Sequence, residues 1–170
     1  MYRVRITLLT VAAALALAFL PGAADAQLRF GAHVARAQDL PGFDAAGGDD
    51  GSFGIGARVG IDPPLIPLAF YGTFDYFFPD CGSLDCDYQN FAIDTNFTFL
   101  PLLLLDLYAT GGITFRRFEL EDESDTATGF SLGGGVSFNF LVNAYLEARN
   151  EFFDGDDGGD QLLIRLGVLF

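Results

Sequence analysis

The sequence predicts an all-β protein: an eight-stranded, antiparallel, up-and-down transmembrane β-barrel over residues 27–170. Three observations support this prediction. Apolar residues recur at every second position in eight segments, and two residues is the repeat of a β-strand. The connections between these segments alternate between acidic ones and short, mostly apolar ones. The last segment is amphipathic and finishes on an aromatic residue, Phe170.

Residues 1–26 have the pattern of a secretory signal peptide. Arg3 and Arg5 are followed by an apolar run over residues 6–20, and small residues flank a predicted cleavage site before Gln27. A membrane-anchoring helix is the alternative, but the run is shorter than the roughly 20 apolar residues that a spanning helix needs. The sequence therefore predicts an exported chain with one domain, residues 27–170.

The first four predicted strands place apolar residues on one face and small or polar residues on the other. They cover residues 27–37, 52–61, 68–78 and 88–99. In the second strand Phe53 and Ile55 alternate with Gly54 and Gly56. Small residues on the polar face suit the lumen of an eight-stranded barrel, which is only wide enough to be filled by side chains.

The last four predicted strands have the same alternation, with more charge on the polar face. They cover residues 103–118, 127–140, 143–153 and 161–170. The seventh carries Glu147, Arg149 and Glu151 between apolar residues, and the eighth carries Arg165. Most of the eight segments have the roughly 10-residue length of a tilted membrane strand.

Acidic residues are concentrated in every second connection. The first, third, fifth and seventh connections contain Asp39, Asp44, Asp49, Asp50, Asp80, Asp85, Asp87, Glu119, Glu121, Asp122, Glu123, Asp125, Asp154, Asp156, Asp157 and Asp160. The other three are short and mostly apolar, with Asp62 as their one acidic residue. In an up-and-down barrel, alternate connections share an end, so one end of the barrel is predicted to be strongly acidic.

Aromatic residues are predicted to form a girdle near each end of the apolar face. One set is Phe30, Phe70, Phe97, Phe99, Phe138, Phe140 and Phe170, and the other is Phe53, Phe78, Phe91, Phe115, Phe130 and Phe152. Membrane interfaces favour aromatic side chains at these two depths, whereas general β-propensity predicts no clustering by depth.

Leu166, Val168 and Phe170 resemble the carboxy-terminal assembly signal of bacterial outer-membrane β-barrels. The whole predicted barrel resembles the small eight-stranded barrels of the outer-membrane protein A and X type. This resemblance implies a monomer in the bacterial outer membrane. It also implies contact with outer-membrane lipid and lipopolysaccharide, delivery by periplasmic chaperones and the barrel-assembly machinery, and no cofactor. A soluble exported barrel such as a lipocalin is the alternative, with its apolar face inside.

The predicted lumen is rich in charge of both signs. Its charge network is expected to include Arg29, Arg58, Asp75, Asp94, Asp106, Arg116, Glu147, Arg149, Glu151 and Arg165, with His33 beside them. Uncompensated charges are costly in a confined space, which favours ion pairs that fill the barrel. Asn90, Asn96, Thr110, Asn139 and Tyr145 are expected to satisfy remaining donors and acceptors. A narrow gated pore, in which arginines and glutamates exchange partners, is the alternative.

A lipid A-modifying enzyme is a less favoured function. The deacylases of that class use a Ser/His/acid set with a serine two residues after the histidine, whereas Ala35 stands two residues after His33. Ser52 or Ser131 would have to approach from another strand, and nothing marks either as activated. No catalytic residue is therefore predicted.

Three further expectations concern the connections and the charge. Cys81 and Cys86 are predicted to form a local disulfide in an exported, turn-rich loop. The net charge of −14 makes nucleic-acid binding unfavourable. Four carboxylates in the seventh connection are weak candidates for Ca²⁺ or Mg²⁺ ligands, and a solvated acidic loop or adaptation to high salt is the alternative. These are Asp154, Asp156, Asp157 and Asp160.

Together these observations predict a non-enzymatic role in the envelope. The barrel is expected to act as a structural element, or as a scaffold for surface interaction through its acidic extracellular loops. A narrow channel for ions or small solutes is the second hypothesis.

Overall fold

The computed structural model describes residues 27–38, 51–63, 66–80, 86–120, 123–139, 142–154 and 159–170. These residues form one sheet that closes on itself into a barrel. Its strands are β1 (Gln27–Gln38), β2 (Gly51–Asp62), β3 (Leu68–Phe78), β4 (Cys86–Pro101), β5 (Leu105–Leu120), β6 (Glu123–Asn139), β7 (Asn143–Phe153) and β8 (Gln161–Leu169).

Every strand pairs in antiparallel fashion with the strands next to it in sequence, and β1 also pairs with β8. The closing seam continues past the end of β8. The amide of Phe30 donates to the carbonyl of Phe170 at 3.1 Å, and the amide of Phe170 donates back to Phe30 at 2.8 Å. The predicted eight-stranded, antiparallel, up-and-down barrel is confirmed. Among the described residues, no helix has the length and apolarity needed to cross a membrane.

The apolar face of the sheet lies on the outside of the barrel. Large outward side chains such as Phe53, Leu132 and Leu166 are more than half exposed. Charged side chains such as Arg149 and Glu151 are instead buried in the lumen. A lipocalin-type barrel has the reverse arrangement, with its apolar face inside. A soluble barrel does not expose so large an apolar surface.

The described members of the two predicted aromatic sets lie on this outer face, and several of their rings are close together. Near the acidic end, the centroids of Phe130 and Phe152 are 4.8 Å apart. Near the other end, those of Phe30 and Phe170 are 6.0 Å apart. Phe140 lies outside the described residues.

The central strands are longer than predicted at the acidic end. β4 begins at Cys86 and β6 at Glu123, so four acidic residues predicted in loops belong to strands instead: Asp87, Glu119, Glu123 and Asp125. Backbone pairing explains the difference. Leu120 pairs with Glu123, and the β5–β6 ladder therefore continues after the apolar alternation has stopped. At the opposite end β5 begins at Leu105 rather than Leu103.

The β5–β6 hairpin extends beyond the rim formed by β7. The pairing of β6 with β7 stops at Gly129 and Phe153, whereas β6 continues to pair with β5 as far as Glu123. One edge of β6 over residues 123–127 is therefore not covered by β7. Exposed edges of this kind are commonly protected from aggregation by charge, and Asp125 lies on this one.

The lumen has three layers along the barrel axis. Nearest the acidic end is an apolar plug formed by Ala35, Ala37, Phe77, Tyr88 and Leu163. The middle layer is a network of buried charges, described below. Nearest the short connections is an open cavity of about 520 Å³, called the vestibule here, beside a buried cluster of Ala69, Tyr71, Tyr145 and Leu169.

Candidate functional site

The centre of the charged layer is Arg165 on β8. Its Nε donates to Asp75 Oδ1 at 3.2 Å and its second terminal nitrogen pairs with Asp75 Oδ2, so the guanidinium holds this carboxylate with two bonds. Its remaining nitrogen donates to Glu147 Oε1 at 3.0 Å. Two parallel bonds from arginine to a carboxylate fix geometry as well as charge. Arg165 therefore joins β3 to β7 across the lumen.

Arg58 supplies a second cation to the carboxylate of Glu147. It donates to Glu147 Oε1 at 2.7 Å, and its guanidinium lies over the rings of Tyr71 at 5.1 Å and Tyr145 at 4.7 Å. The other oxygen of Glu147 accepts a bond from the hydroxyl of Tyr108 at 3.1 Å. Every polar atom of this glutamate side chain thus has a partner, which is what a buried charge requires.

His33 extends this group to β1. Its Nε2 lies 2.6 Å from Asp75 Oδ1, and its ring meets the ring of Tyr145 edge-on at 6.2 Å between centroids. His33 is 5% exposed. The sequence placed it in the lumen, and the structure puts it against Asp75.

A second group of charges lies between this cluster and the apolar plug. Arg149 pairs with Asp94 at 2.6 Å and with Glu151 at 2.5 Å. Glu151 also accepts two bonds from the amide of Asn90, at 2.9 and 3.0 Å, and one from Gln161 at 2.5 Å. All three charged side chains of this group are fully buried.

Polar side chains connect the two groups to each other and to the plug. Thr73 accepts a bond from Arg58 Nε and donates one to Asp94, each at 3.2 Å. At the other side, the Tyr88 hydroxyl donates to Gln161 at 2.6 Å. The result is one network, here called the ionic network. Its members are His33, Arg58, Thr73, Asp75, Tyr88, Asn90, Asp94, Tyr108, Thr114, Ser131, Glu147, Arg149, Glu151, Gln161 and Arg165.

All eight strands contribute to the ionic network. It contains three arginines and four carboxylates, with His33 as the fourth basic group. A network that reaches every strand crosses the whole lumen, so its side chains occupy the barrel at mid-height.

Glycines next to the large network side chains provide their space. A Cβ atom at Gly56 would lie 2.2 Å from His33 Nε2, and one at Gly133 would lie 2.4 Å from the Cβ of Arg149. Each is directly opposite the residue it accommodates in the strand register. The sequence indicated only that these glycines are small lumen residues, and the pairing of a large side chain with a glycine was not predicted.

Two residues predicted in the charge network, Arg29 and Asp106, lie apart from it. Arg29 pairs with Asp62 at 3.1 Å, at the short-connection end. Asp106, at the same end, accepts a bond from the amide of Asn139 at 2.5 Å. Arg116 stacks over the Phe153 ring at 4.2 Å, near the acidic end. The strand positions of Arg29 and Asp106 explain the difference, because a side chain reaches only its own layer of the lumen.

Of the five residues expected to satisfy remaining polar groups, two make such bonds. Asn90 binds Glu151, and Asn139 binds Asp106. Asn96 Oδ1, Thr110 Oγ1 and the Tyr145 hydroxyl are buried with no hydrogen-bond partner among the described residues. Asn96 and Tyr145 line the vestibule, which is the layer of the lumen where space is left unfilled.

The two serines considered for catalysis donate hydrogen bonds to groups other than His33. The Ser52 hydroxyl donates to the carbonyl of Phe53 at 3.3 Å, and that of Ser131 donates to Asp94 at 3.5 Å. Nor does the described part of the chain contain a group of three or more His, Cys, Asp or Glu residues able to hold a metal ion.

Other predicted site residues are only partly described. Asp156, Asp157 and Cys81 lie outside the described residues, so the acidic metal site and the pairing of Cys81 with Cys86 stay predictions. Leu166, Val168 and Phe170 are on the outer face, and their role in assembly stays a prediction as well.

The chain gives no match to any protein-family model and none to curated protein sequences. Its structure is similar to that of Neisserial surface protein A, with a TM-score of 0.64, 14% identity, and coverage of 85% of this chain and 96% of that one. It is also similar to the N-terminal β-barrel domain of Pseudomonas aeruginosa OprF, with a TM-score of 0.59, 12% identity, and coverage of 86% and 98%. A major outer membrane protein from Thermus thermophilus gives a TM-score of 0.53 at 13% identity, covering 84% and 98%. At these identities the similarity concerns the fold, and the fold of this chain is that of the small eight-stranded outer-membrane β-barrels.

Proposed function

We propose that the protein is an integral outer-membrane β-barrel with a non-enzymatic role, either in envelope structure or in surface interaction at its acidic end. The observation that carries this proposal is the ionic network. Arg58, Arg149, Arg165 and their carboxylates have side chains no more than 1% exposed. A lumen closed in this way supports a rigid scaffold rather than a pore.

The outer face supports the membrane location. Its large apolar side chains are exposed all round the barrel, with aromatic residues toward both ends. Burial in lipid removes this surface from water, and aromatic residues are favoured at the two interfaces. The structural neighbours named above are proteins of bacterial outer membranes or domains of them.

The projecting part of β4–β6 supports the surface role. Asp87, Glu119 and Asp125 stand on strands that continue past the rim of β7, so an acidic surface is held by a paired sheet. In the orientation typical of outer-membrane barrels, with short turns in the periplasm, this sheet faces the outside of the cell.

Location and orientation are tested by cysteine labelling in intact cells with a bulky, membrane-impermeant maleimide reagent. The variants Ser124→Cys, on the projecting part of β6, and Leu103→Cys, at the short-connection end, are made in a Cys81→Ser/Cys86→Ser background. We expect the first to react in intact cells and the second only after the outer membrane is opened. The reverse pattern, or equal labelling of both, would contradict the proposed orientation.

Closure of the lumen is tested by conductance in planar bilayers. The folded protein is expected to be silent, with folding checked by its faster gel migration before boiling. The channel hypothesis predicts discrete openings instead, altered in the variants Glu147→Ala and Arg149→Ala. Such openings in the unaltered protein would replace the scaffold function with the channel function.

A further inference from the structure

The vestibule is a cavity with a closed floor. Arg58 and Tyr71 line it on the side of the ionic network, and Pro63, Pro67 and Pro101 line it on the side of the short connections. At about 520 Å³ it lies within the range of small-molecule pockets. A cavity that opens at one end and is bounded by an ion pair at the other can hold a solute.

The two arginines in the described wall of the vestibule are already paired with carboxylates. Arg29 is paired with Asp62 at 3.1 Å, and Arg58 with Glu147 at 2.7 Å. Asp106 is held by the amide of Asn139 at 2.5 Å. An anionic ligand would therefore have to displace a carboxylate from the arginine that it bound.

The rest of the wall combines aromatic rings with neutral polar groups. Tyr71, Tyr108 and Tyr145 contribute from three different strands. Asn96 Oδ1, Asn143 Oδ1 and the Tyr145 hydroxyl have no hydrogen-bond partner among the described residues. Tyr145 is 1% exposed and Asn96 is 8% exposed, so both belong to the buried part of the wall.

We propose that the vestibule binds a neutral, hydroxyl-rich solute the size of a monosaccharide or disaccharide, which enters from the short-connection end. The C–H face of a sugar ring packs on tyrosine, while its hydroxyls both donate and accept hydrogen bonds and so match amides and hydroxyls together. The proposal requires the closed lumen but neither the cellular location nor any surface partner, so it can fail while the proposed function holds.

The test is saturation-transfer NMR on the protein in dodecylphosphocholine micelles, which have no sugar headgroup. Glucose and maltose are the probes, and glucose 6-phosphate and glucosamine are comparison ligands with the same ring and an added negative or positive charge. We expect saturable binding of a neutral sugar, with a dissociation constant on the order of 1 mM. We expect at least threefold weaker binding of glucose 6-phosphate, because the arginines of the wall are already paired. Absence of saturable binding, or a preference for either charged compound, would overturn the proposal.

The site of binding is tested with a matched pair of substitutions on β6. Ser137→Phe fills the vestibule, whereas Val136→Phe adds a ring to the outer face one residue away. The first is expected to weaken sugar binding at least tenfold and the second to leave it unchanged. Should Ser137→Phe fail to fold, Asn96→Leu removes the wall amide without adding a ring, and at least a threefold loss is expected. Binding unaffected by a folded vestibule variant would refute the location.

Discussion

The two halves of the lumen are built from the same residue types but use them differently. In the half nearer the acidic end, Asn90 bonds to Glu151 and Thr114, and Tyr88 bonds to Gln161. In the half nearer the short connections, Asn96 and Tyr145 have polar atoms with no partner among the described residues. Asn90 and Tyr88 therefore bond to other lumen side chains, whereas Asn96 and Tyr145 line a cavity.

This difference shows that polarity alone does not give a lumen residue its role. What separates the halves is volume. Both the half nearer the acidic end, the closed half, and the half nearer the short connections, the open half, place glycine opposite large side chains, but the open half leaves about 520 Å³ unfilled. Substitutions matched between the two halves, or between the lumen and the outer face, measure this difference directly.

The largest effect is expected from Arg165→Met. It leaves Asp75 and Glu147 buried with reduced compensation, and breaking a buried ion pair costs about 3–5 kcal/mol. The control is Arg117→Met, which removes an exposed arginine paired with Glu119 and should cost less than about 1 kcal/mol. Urea unfolding of both variants in lipid vesicles gives the free energies. Equal losses would show that the ionic network adds little to stability.

Gly56→Ala is expected to have the next largest effect. The added Cβ atom would lie 2.2 Å from His33 Nε2 and 2.5 Å from the carbonyl oxygen of Phe74. Overpacking of this kind costs about 1–3 kcal/mol. At Gly72, which faces outward, a Cβ atom would meet only the carbonyl oxygen of Val59 among the described residues, at 3.9 Å, so Gly72→Ala should be close to neutral. The same urea unfolding assay measures the free energy of unfolding of both variants. An unchanged free energy for Gly56→Ala would mean that the closed half has spare volume.

Asn90→Leu and Asn96→Leu are the same substitution on one strand, in the two halves. The first removes the bonds that Asn90 makes to Glu151 and Thr114 and should cost about 2–3 kcal/mol, because hydrogen bonds to charged groups are strong. The second removes an amide whose oxygen has no partner in the described part of the chain and should cost less than about 1 kcal/mol. Thermal unfolding, followed by circular dichroism, ranks the two variants by their loss of stability. A larger loss of stability in Asn96→Leu than in Asn90→Leu would contradict this prediction.

The smallest expected effect is that of Tyr88→Phe compared with Tyr145→Phe. The Tyr88 hydroxyl donates to Gln161 at 2.6 Å, so its loss should cost about 1 kcal/mol. The Tyr145 hydroxyl has no partner within the described ranges, and its removal should be neutral or slightly stabilising. The denaturant midpoints of the two variants and the unaltered protein, measured side by side, can resolve a difference in stability of this size. A clear loss at Tyr145 would reveal a bond that the present structure does not contain.

The alternation of residues predicted the barrel well because it depends only on local geometry. Successive side chains in a strand point to opposite faces, so Arg165 and Leu166 could be placed inside and outside without knowledge of any partner. The ends of β5 and β6 could not be predicted in this way. Glu119 and Asp125 belong to a hairpin whose backbone ladder continues past the apolar alternation, and backbone bonds cannot be read from the pattern of apolar residues.

The partners within the lumen could be predicted only as a group. Which carboxylate meets Arg165 depends on the register of distant strands, and Asp75 is 90 residues away in sequence. Thr73, which links Arg58 to Asp94, has nothing in its own sequence surroundings to distinguish it from other lumen threonines. The vestibule was not predicted, because an empty volume is set by the combined sizes of side chains from many strands.

The position of Arg165 on the final strand has a consequence for closure of the ring. Asp75 and Glu147 are contributed by β3 and β7, and the bonds that Arg165 makes to them cannot form until β8 has taken its place beside β1 and β7. Gln161, which completes the bonds to Glu151, arrives on the same strand. The compensation that Arg165 gives to Asp75 and Glu147 is therefore gained only when β8 closes the ring, and an open sheet of the other seven strands would lack it.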